Sequence, residues 1–232
     1  MLKTNDHLVL NASDKQALLE VKDLTHQYPQ RGLVLDAVSF ALHSGEKMAL
    51  VGENGAGKTT LFHLLTGLIP RQSGKIYHQQ KSVVTESDFV ALRQEVGLVF
   101  QDPDDQLFCP SVLEDVMFGP LNQGMSVAQA QQKAQQVLVQ LNIQHLSERM
   151  AAQLSGGEKR MVTLASVLVM QPKVLLLDEP TNALDSNAKE KLLAVLKGLE
   201  QAMLVISHDD VFLQQLTNSS LTLQKSKLKL SE

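Results

Sequence analysis

Apolar and polar residues alternate over residues 18–28 and again over 33–42, the period of two expected for half-buried strands. After the turn Ser44-Gly45-Glu46, the short apolar run 48–51 predicts a third strand. Leu61, Leu64, Leu65 and Leu68 then recur at spacings of three and four, which predicts a helix over 58–68. The local order is therefore strand, glycine-rich loop, helix. A second apolar strand is expected over 96–100, before the polar turn Asp102-Pro103-Asp104-Asp105. From there to about residue 163 the helical period dominates. Val127, Ala130, Ala134, Val137, Leu138 and Leu141 share one face of a helix over 126–141, with Ser126 and Gln129 placed for a capping box. A further helix is expected over 159–170. Short buried strands return at 174–177 and 202–207 on either side of an amphipathic helix over 188–199. Alternation over 221–230 predicts an edge hairpin with charge on its open side. No internal repeat is visible. The pattern predicts an α/β core, residues 1–101 and 164–232, interrupted by a mostly helical segment over 102–163.

Composition narrows the classes. A chain of 232 residues has room for one large domain or one domain with an insertion. Its 44% apolar and 20% charged residues are ordinary for a globular protein. A net charge of -4 argues against the basic face of a nucleic-acid binder. With 4% aromatics and no Trp, base-stacking platforms are not expected either. The single Cys109 has no neighbouring His or basic residue and reads as a small hydrophobe rather than a nucleophile. The histidines other than His208 lack ligand spacing, so no bound transition metal is expected. Residues 1–9 lack the apolar centre of a leader, and no apolar run approaches the roughly 18 residues that cross a bilayer. The expectation is a cytosolic chain whose connection to a membrane comes through a partner.

The chemistry starts at Gly52-Glu53-Asn54-Gly55-Ala56-Gly57-Lys58-Thr59, which fits G-x-x-x-x-G-K-[ST] between a strand and a helix. Glycines there let backbone N–H groups close around phosphate oxygens, at a helix N-terminus that carries partial positive charge. Lys58 can reach the β- and γ-phosphates of a nucleoside triphosphate, and the Thr59 hydroxyl can ligate Mg²⁺. Residues 174–179 supply the partner feature, an apolar strand ending in two carboxylates. A strand beside the phosphate loop would deliver Asp178 to the Mg²⁺ shell and Glu179 to the water facing the γ-phosphate. Glu179 is the choice for general base. Leu154-Ser155-Gly156-Gly157-Glu158 opens another helix. Ser155 there can cap the helix, grip a second phosphate, or do both, since the same N–H groups serve each purpose.

Taken in order, these motifs resemble the ATP-binding subunits of ABC transporters over nearly the whole chain. The Walker A loop runs over 52–60, and Gln101 matches the glutamine of the Q-loop. Residues 154–158 match the ABC signature, Asp178 with Glu179 the Walker B motif, Ala183-Leu184-Asp185 the D-loop, and His208 the switch histidine. Tyr28 stands where the family places an aromatic that stacks on adenine; the alternative is an ordinary strand aromatic. His208 could instead only cap the helix after it. The resemblance implies a P-loop NTPase core with an N-terminal antiparallel β-subdomain and an inserted helical signature subdomain. It also implies ATP with Mg²⁺, held by Gly52, Asn54, Gly55, Gly57, Lys58, Thr59, Thr60, Gln101 and Asp178. Hydrolysis would use Glu179, His208 and Lys58. The family further implies a head-to-tail dimer in which Ser155 and Gly157 of one subunit grip the γ-phosphate bound by the other.

The segment 101–108, with Glu114-Asp115-Val116 and the run 118–122, is more specific. It resembles the ATPases of energy-coupling-factor importers, most closely the cobalt/nickel branch. This region follows the Q-loop, where family members meet the coupling helices of a transmembrane subunit. The resemblance therefore places the chain at the cytoplasmic face of the membrane, as a peripheral subunit. A helical surface carrying no information about the solute is the competing reading, as are the motor of another transporter and an ABC ATPase outside transport.

Overall fold

The computed structural model describes residues 16–231; residues 1–9, read above for a leader, lie outside them. β1 (Ala17–Tyr28) and β2 (Gly32–His43) form a long antiparallel hairpin whose inward residues, from Leu19 to Leu42, are fully buried. β3 (Lys47–Val51) leads through the glycine loop into α1 (Lys58–Leu65). The helix stops three residues short of the expected end because Gly67, at φ 71°, turns the chain. Next come β4 (Ser73–His78), β5 (Lys81–Val83) and α2 (Glu86–Glu95), none of which the hydrophobic pattern announces. β6 (Val96–Val99) precedes the helical segment: α3 (Val112–Asn122), α4 (Val127–Gln140) and α5 (Gly156–Leu168). α5 starts three residues earlier than its apolar period suggests, because Ser155 and Glu158 close a capping box there. The expected boundary at residue 163 thus falls inside a continuous helix. β7 (Val174–Asp178), α6 (Ser186–Gly198), β8 (Ala202–Ile206), α7 (Asp210–Leu216), β9 (Ser219–Gln224) and β10 (Lys227–Ser231) complete the order.

Two sheets result. The smaller is antiparallel, in the order β2-β1-β4-β5, and the larger runs β10-β9-β3-β8-β7-β6. β3, β8, β7 and β6 are mutually parallel, and only the terminal hairpin β9–β10 pairs antiparallel. This is the predicted α/β core with its antiparallel subdomain and helical insertion. β7 and β8 are buried along their whole length, and period two sends their residues to opposite faces. Leu175, Leu177, Met203 and Val205 join the core shared with α3, α4, α5 and α6. Val174, Leu176, Leu204 and Ile206 join the core under α1 and the small sheet. One difference from expectation matters: β7 is not beside β3, since β8 lies between them. Parallel alignment has a direct consequence. The chain leaves β3, β6, β7 and β8 at the same edge, so four loops meet there.

Candidate nucleotide site

These loops surround a cleft of about 920 Å³. Its floor is the loop after β3, and two glycines there admit no side chain. Gly57 has φ 108°, and a Cβ would meet Val34 Cγ1 at 2.5 Å; Gly52 has φ 155°, and a Cβ would meet the Leu223 carbonyl oxygen at 2.4 Å. The loop is thus clamped between β2 and the C-terminal hairpin. Lys58 extends back along it, and its Nζ donates to Gly52 O at 2.6 Å and Glu53 O at 3.1 Å. Burial lowers the Lys58 pKa, while Glu179 and Asp178 act to raise it. An ammonium held by loop carbonyls within reach of two carboxylates suits an anionic ligand.

From β7 come Asp178 and Glu179. Asp178 is 3% exposed, and its Oδ1 has no hydrogen-bond partner. Burial raises its pKa, opposed by the Thr59 hydroxyl, His63, Lys58 and Arg160. A buried carboxylate oxygen without a donor, beside a hydroxyl, is a donor set that a hard divalent cation satisfies. Asp178→Asn is therefore expected to melt at a higher temperature than the parent at neutral pH, while losing Mg²⁺-dependent tightening of nucleotide binding. With the folded pKa above the unfolded one, the carboxyl's stabilisation is complete below the ordinary carboxylate pKa. It is lost as pH rises through the raised value. The gap between Asn and Asp should open across that interval and stay level above it. Thermal melts of both proteins from acid to neutral pH measure this, and a neutral-pH midpoint below the parent's contradicts it.

Glu179 adopts a left-handed backbone, φ 47°, stabilised by its N–H donating to Ile206 O at 2.9 Å. That conformation is uncommon outside glycine and aims the side chain across the end of β8. There Oε2 accepts from the His208 backbone N–H at 3.2 Å, and Oε1 lies 3.3 Å from His208 Nε2. His208 does not cap α7; Asp209 does, accepting from Phe212 N at 3.0 Å. Gln101, from the loop after β6, also lines the cleft.

Among the candidate residues, the cleft brings together Asn54, Gly55, Gly57, Lys58, Thr59, Thr60, Gln101, Asp178, Glu179 and His208. Gly52 does not itself line the cleft, and two further groups stand apart. Tyr28 packs edge-on to His26, with its hydroxyl 3.4 Å from Thr60 Oγ1, and does not line the cleft; Arg31, from the same hairpin, does. Ser155 and Gly157 sit at the start of α5, also outside the lining. The Ser155 hydroxyl donates to Glu158 Oε2 at 2.8 Å, and Gly157 packs so closely on α6 that a Cβ would meet Ala188 Cβ at 2.9 Å. Sequence reasoning missed Arg31, Thr181, Asn182, Lys189 and Asp209, which also line the cleft. Thr181 and Ser207 share a hydrogen bond of 3.0 Å that ties the loop after β7 to the one after β8, and Lys189 of α6 pairs with Asp209 of that second loop at 2.7 Å. Their only sequence signal is closeness to Glu179 and His208. Cys109, in contrast, has its thiol pushed up to about 11 by burial and Asp115, so it is protonated at neutral pH.

Residues 35–182 match the family model described as ABC transporter. A protein of Brucella suis biovar 1, provisionally named an ABC transporter ATP-binding protein with no solute stated, is 49% identical over 195 residues, 84% of this chain and 81% of that one. The cobalt import ATP-binding protein CbiO of Rhodobacter capsulatus is 44% identical over 203 residues, 84% of this chain and 70% of that one. The solved structure of cbiO1 from Clostridium perfringens, described as part of the ABC transporter complex cbiONQ, superposes with a TM-score of 0.83. It is 32% identical, with 93% of this chain and 88% of that one covered. The chain belongs to the ABC transporter ATP-binding proteins, which hydrolyse ATP to power transport.

Proposed function

We propose that the chain is the motor of an energy-coupling-factor importer whose cargo is cobalt or nickel ions. In this reading it works as one of two head-to-tail ATPase subunits at the cytoplasmic face of the membrane. One observation carries the dimer: the cleft gathers every catalytic candidate of the chain but leaves Ser155 and Gly157 outside. A second copy, or a close relative, supplies them from across the interface. Backbone N–H groups of the glycine loop and Lys58 hold the triphosphate, with Asn54 and Thr60 at its flanks. Thr59, Gln101 and Asp178 hold Mg²⁺, which neutralises charge on the phosphate oxygens. Glu179 takes the proton of the attacking water, and His208 steadies the γ-phosphate. Tyr28 reaches the adenine by turning its ring toward the cleft mouth.

The cargo rests on the segment after Gln101 and on the likeness to CbiO proteins. It is tested by ATP-dependent uptake of cobalt and nickel in cells with and without the chain. Equal uptake in both overturns it.

The membrane contact has its own support. Phe108 is 64% exposed and Phe118 45%, and the two rings meet edge to face at 4.8 Å. The loop is pinned, because buried Asp115 accepts from Phe108 N at 3.0 Å and Cys109 N at 2.9 Å. A rigid aromatic pair left in solvent, on the helical segment 102–163, suits a transmembrane partner. Replacing both by Ser should lower recovery of the chain with the membrane subunits by tenfold or more, on the order of the loss when aromatic anchors are removed. ATP affinity should stay unchanged. Undiminished co-purification would remove these residues from the interface.

A further inference from the structure

Beyond the end of β6, the carbonyls of Phe100 and Gln101 have no strand partner and need donors from elsewhere. A single side chain supplies both. Arg160 of α5, only 3% exposed, donates through Nη1 to Phe100 O at 2.7 Å and through Nη2 to Gln101 O at 2.8 Å. The planar fork of a guanidinium gives each of the two carbonyls its own N–H at a fixed spacing. The neighbouring residues of α5 act in the same direction. Lys159 pairs with Asp104 at 2.6 Å, just past the loop. Ser166 Oγ lies 3.4 Å from Gln106 Nε2, while Gln106 Oε1 accepts from Phe100 N at 3.2 Å. Residues 159, 160 and 166 thus fasten the segment 100–106 to the helix that opens at Ser155.

We infer that Arg160 is a positioning residue for hydrolysis, fixing the backbone of Gln101 to the signature helix so that the two move as one body. The inference rests on the reading of Gln101 as a Mg²⁺ ligand. Arg160 does not line the main cleft but the pocket beside it, with Thr59, Gln101 and Asp178, and its hydrogen bonds go to the backbone of Phe100 and Gln101. The arrangement makes a link within one chain. A displacement of α5 produced when Ser155 and Gly157 meet the partner's nucleotide carries Gln101 with it, toward or away from this chain's own Mg²⁺ shell.

The test is steady-state ATP hydrolysis by the full chain, with kcat, KM for ATP and the Mg²⁺ concentration for half activity measured separately. Arg160→Met should lower kcat roughly ten- to a hundredfold, the scale on which a displacement of about 1 Å acts on a positioned group. Its KM for ATP should stay within a factor of about two, and more Mg²⁺ should be needed. Arg160→Lys, which keeps the charge and loses the planar fork, should fall between Met and the parent. In a Gln101→Ala background, Arg160→Met should cost nothing further, because both changes remove the same positioned group. Additive losses, or an unchanged kcat in Arg160→Met, overturn the inference. If Gln101→Ala alone leaves both kcat and the Mg²⁺ requirement untouched, the Gln101 assignment fails and this inference with it. An impaired Gln101→Ala beside a normal Arg160→Met removes Arg160 alone. Should Arg160→Met not fold, the same cycle run with Arg160→Lys decides.

Discussion

Glu179→Gln is expected to stop ATP turnover while leaving ATP binding intact, with a nucleotide-bound dimer accumulating. Gln has the size of Glu and an amide oxygen able to accept from the His208 N–H, so the contact at 3.2 Å survives. The left-handed backbone at φ 47° is no harder for Gln than for Glu, and the bond to Ile206 O involves only the main chain. What disappears is an ionised group able to take a proton from water. General-base catalysis is worth about 10² to 10⁴ in rate, and kcat should fall by that order. Affinity for ATP should change little, because the glycine loop, Lys58 and Asp178 are untouched. With the hydrolytic exit closed, ATP stays between the subunits and the proposed dimer persists. Phosphate release and size-exclusion chromatography with ATP and Mg²⁺ measure the two halves of this. Turnover at the parent rate would remove Glu179 as the base.

The cleft's main parts were legible because each is a short motif tied to one loop. Gly52 to Thr60, Asp178, Glu179 and His208 all stand at ends of strands whose apolar runs are plain in the sequence. What the pattern concealed has physical reasons. β4 and β5 bury few residues, mainly Ile76 and Val83, and α2 buries only Leu92, so no hydrophobic period marks residues 73–95. The interposition of β8 between β3 and β7 is a property of long-range pairing, invisible in strands that are uniformly apolar. Asp178 still reaches the site because all these strands run in one direction, so carboxyl ends converge whichever is adjacent. Arg31 and Arg160 carry no motif that spacing could reveal. Arg160 in particular follows the signature directly and reads as part of a polar helix start, until its two carbonyl partners are seen some sixty positions away.

Ser155→Arg should abolish turnover without touching nucleotide binding by the isolated subunit. Within the chain, Ser155 only caps α5: its hydroxyl accepts from Glu158 N at 3.3 Å and donates to the Glu158 carboxylate at 2.8 Å. The Ser155 N–H, donating to Glu158 Oε2 at 2.8 Å, and then the Ser155 hydroxyl hold the Glu158 pKa down. Loss of an N-cap costs on the order of 1 kcal/mol, too little to unfold a domain of this size. The residue is exposed and lies outside the cleft that holds Lys58 and Asp178, so ATP affinity of the monomer should be unchanged. In the proposed dimer the same position faces the partner's γ-phosphate, and a guanidinium cannot enter the space that a hydroxyl occupies there. Closure then fails, and hydrolysis with it. Mixing the variant with Glu179→Gln chains separates this from general damage. In a mixed pair joined head to tail, the intact Glu179 of the Ser155→Arg chain faces the intact signature of the Glu179→Gln chain, and both defects fall in the other site. One composite site is then complete, so mixing the two inactive variants should restore turnover. If Ser155 instead acted inside its own chain, every site of a mixed pair would carry one defect and the mixture would stay inactive. Turnover regained in the mixture identifies the contact as one made across the interface; equal rates for Arg and parent would exclude it.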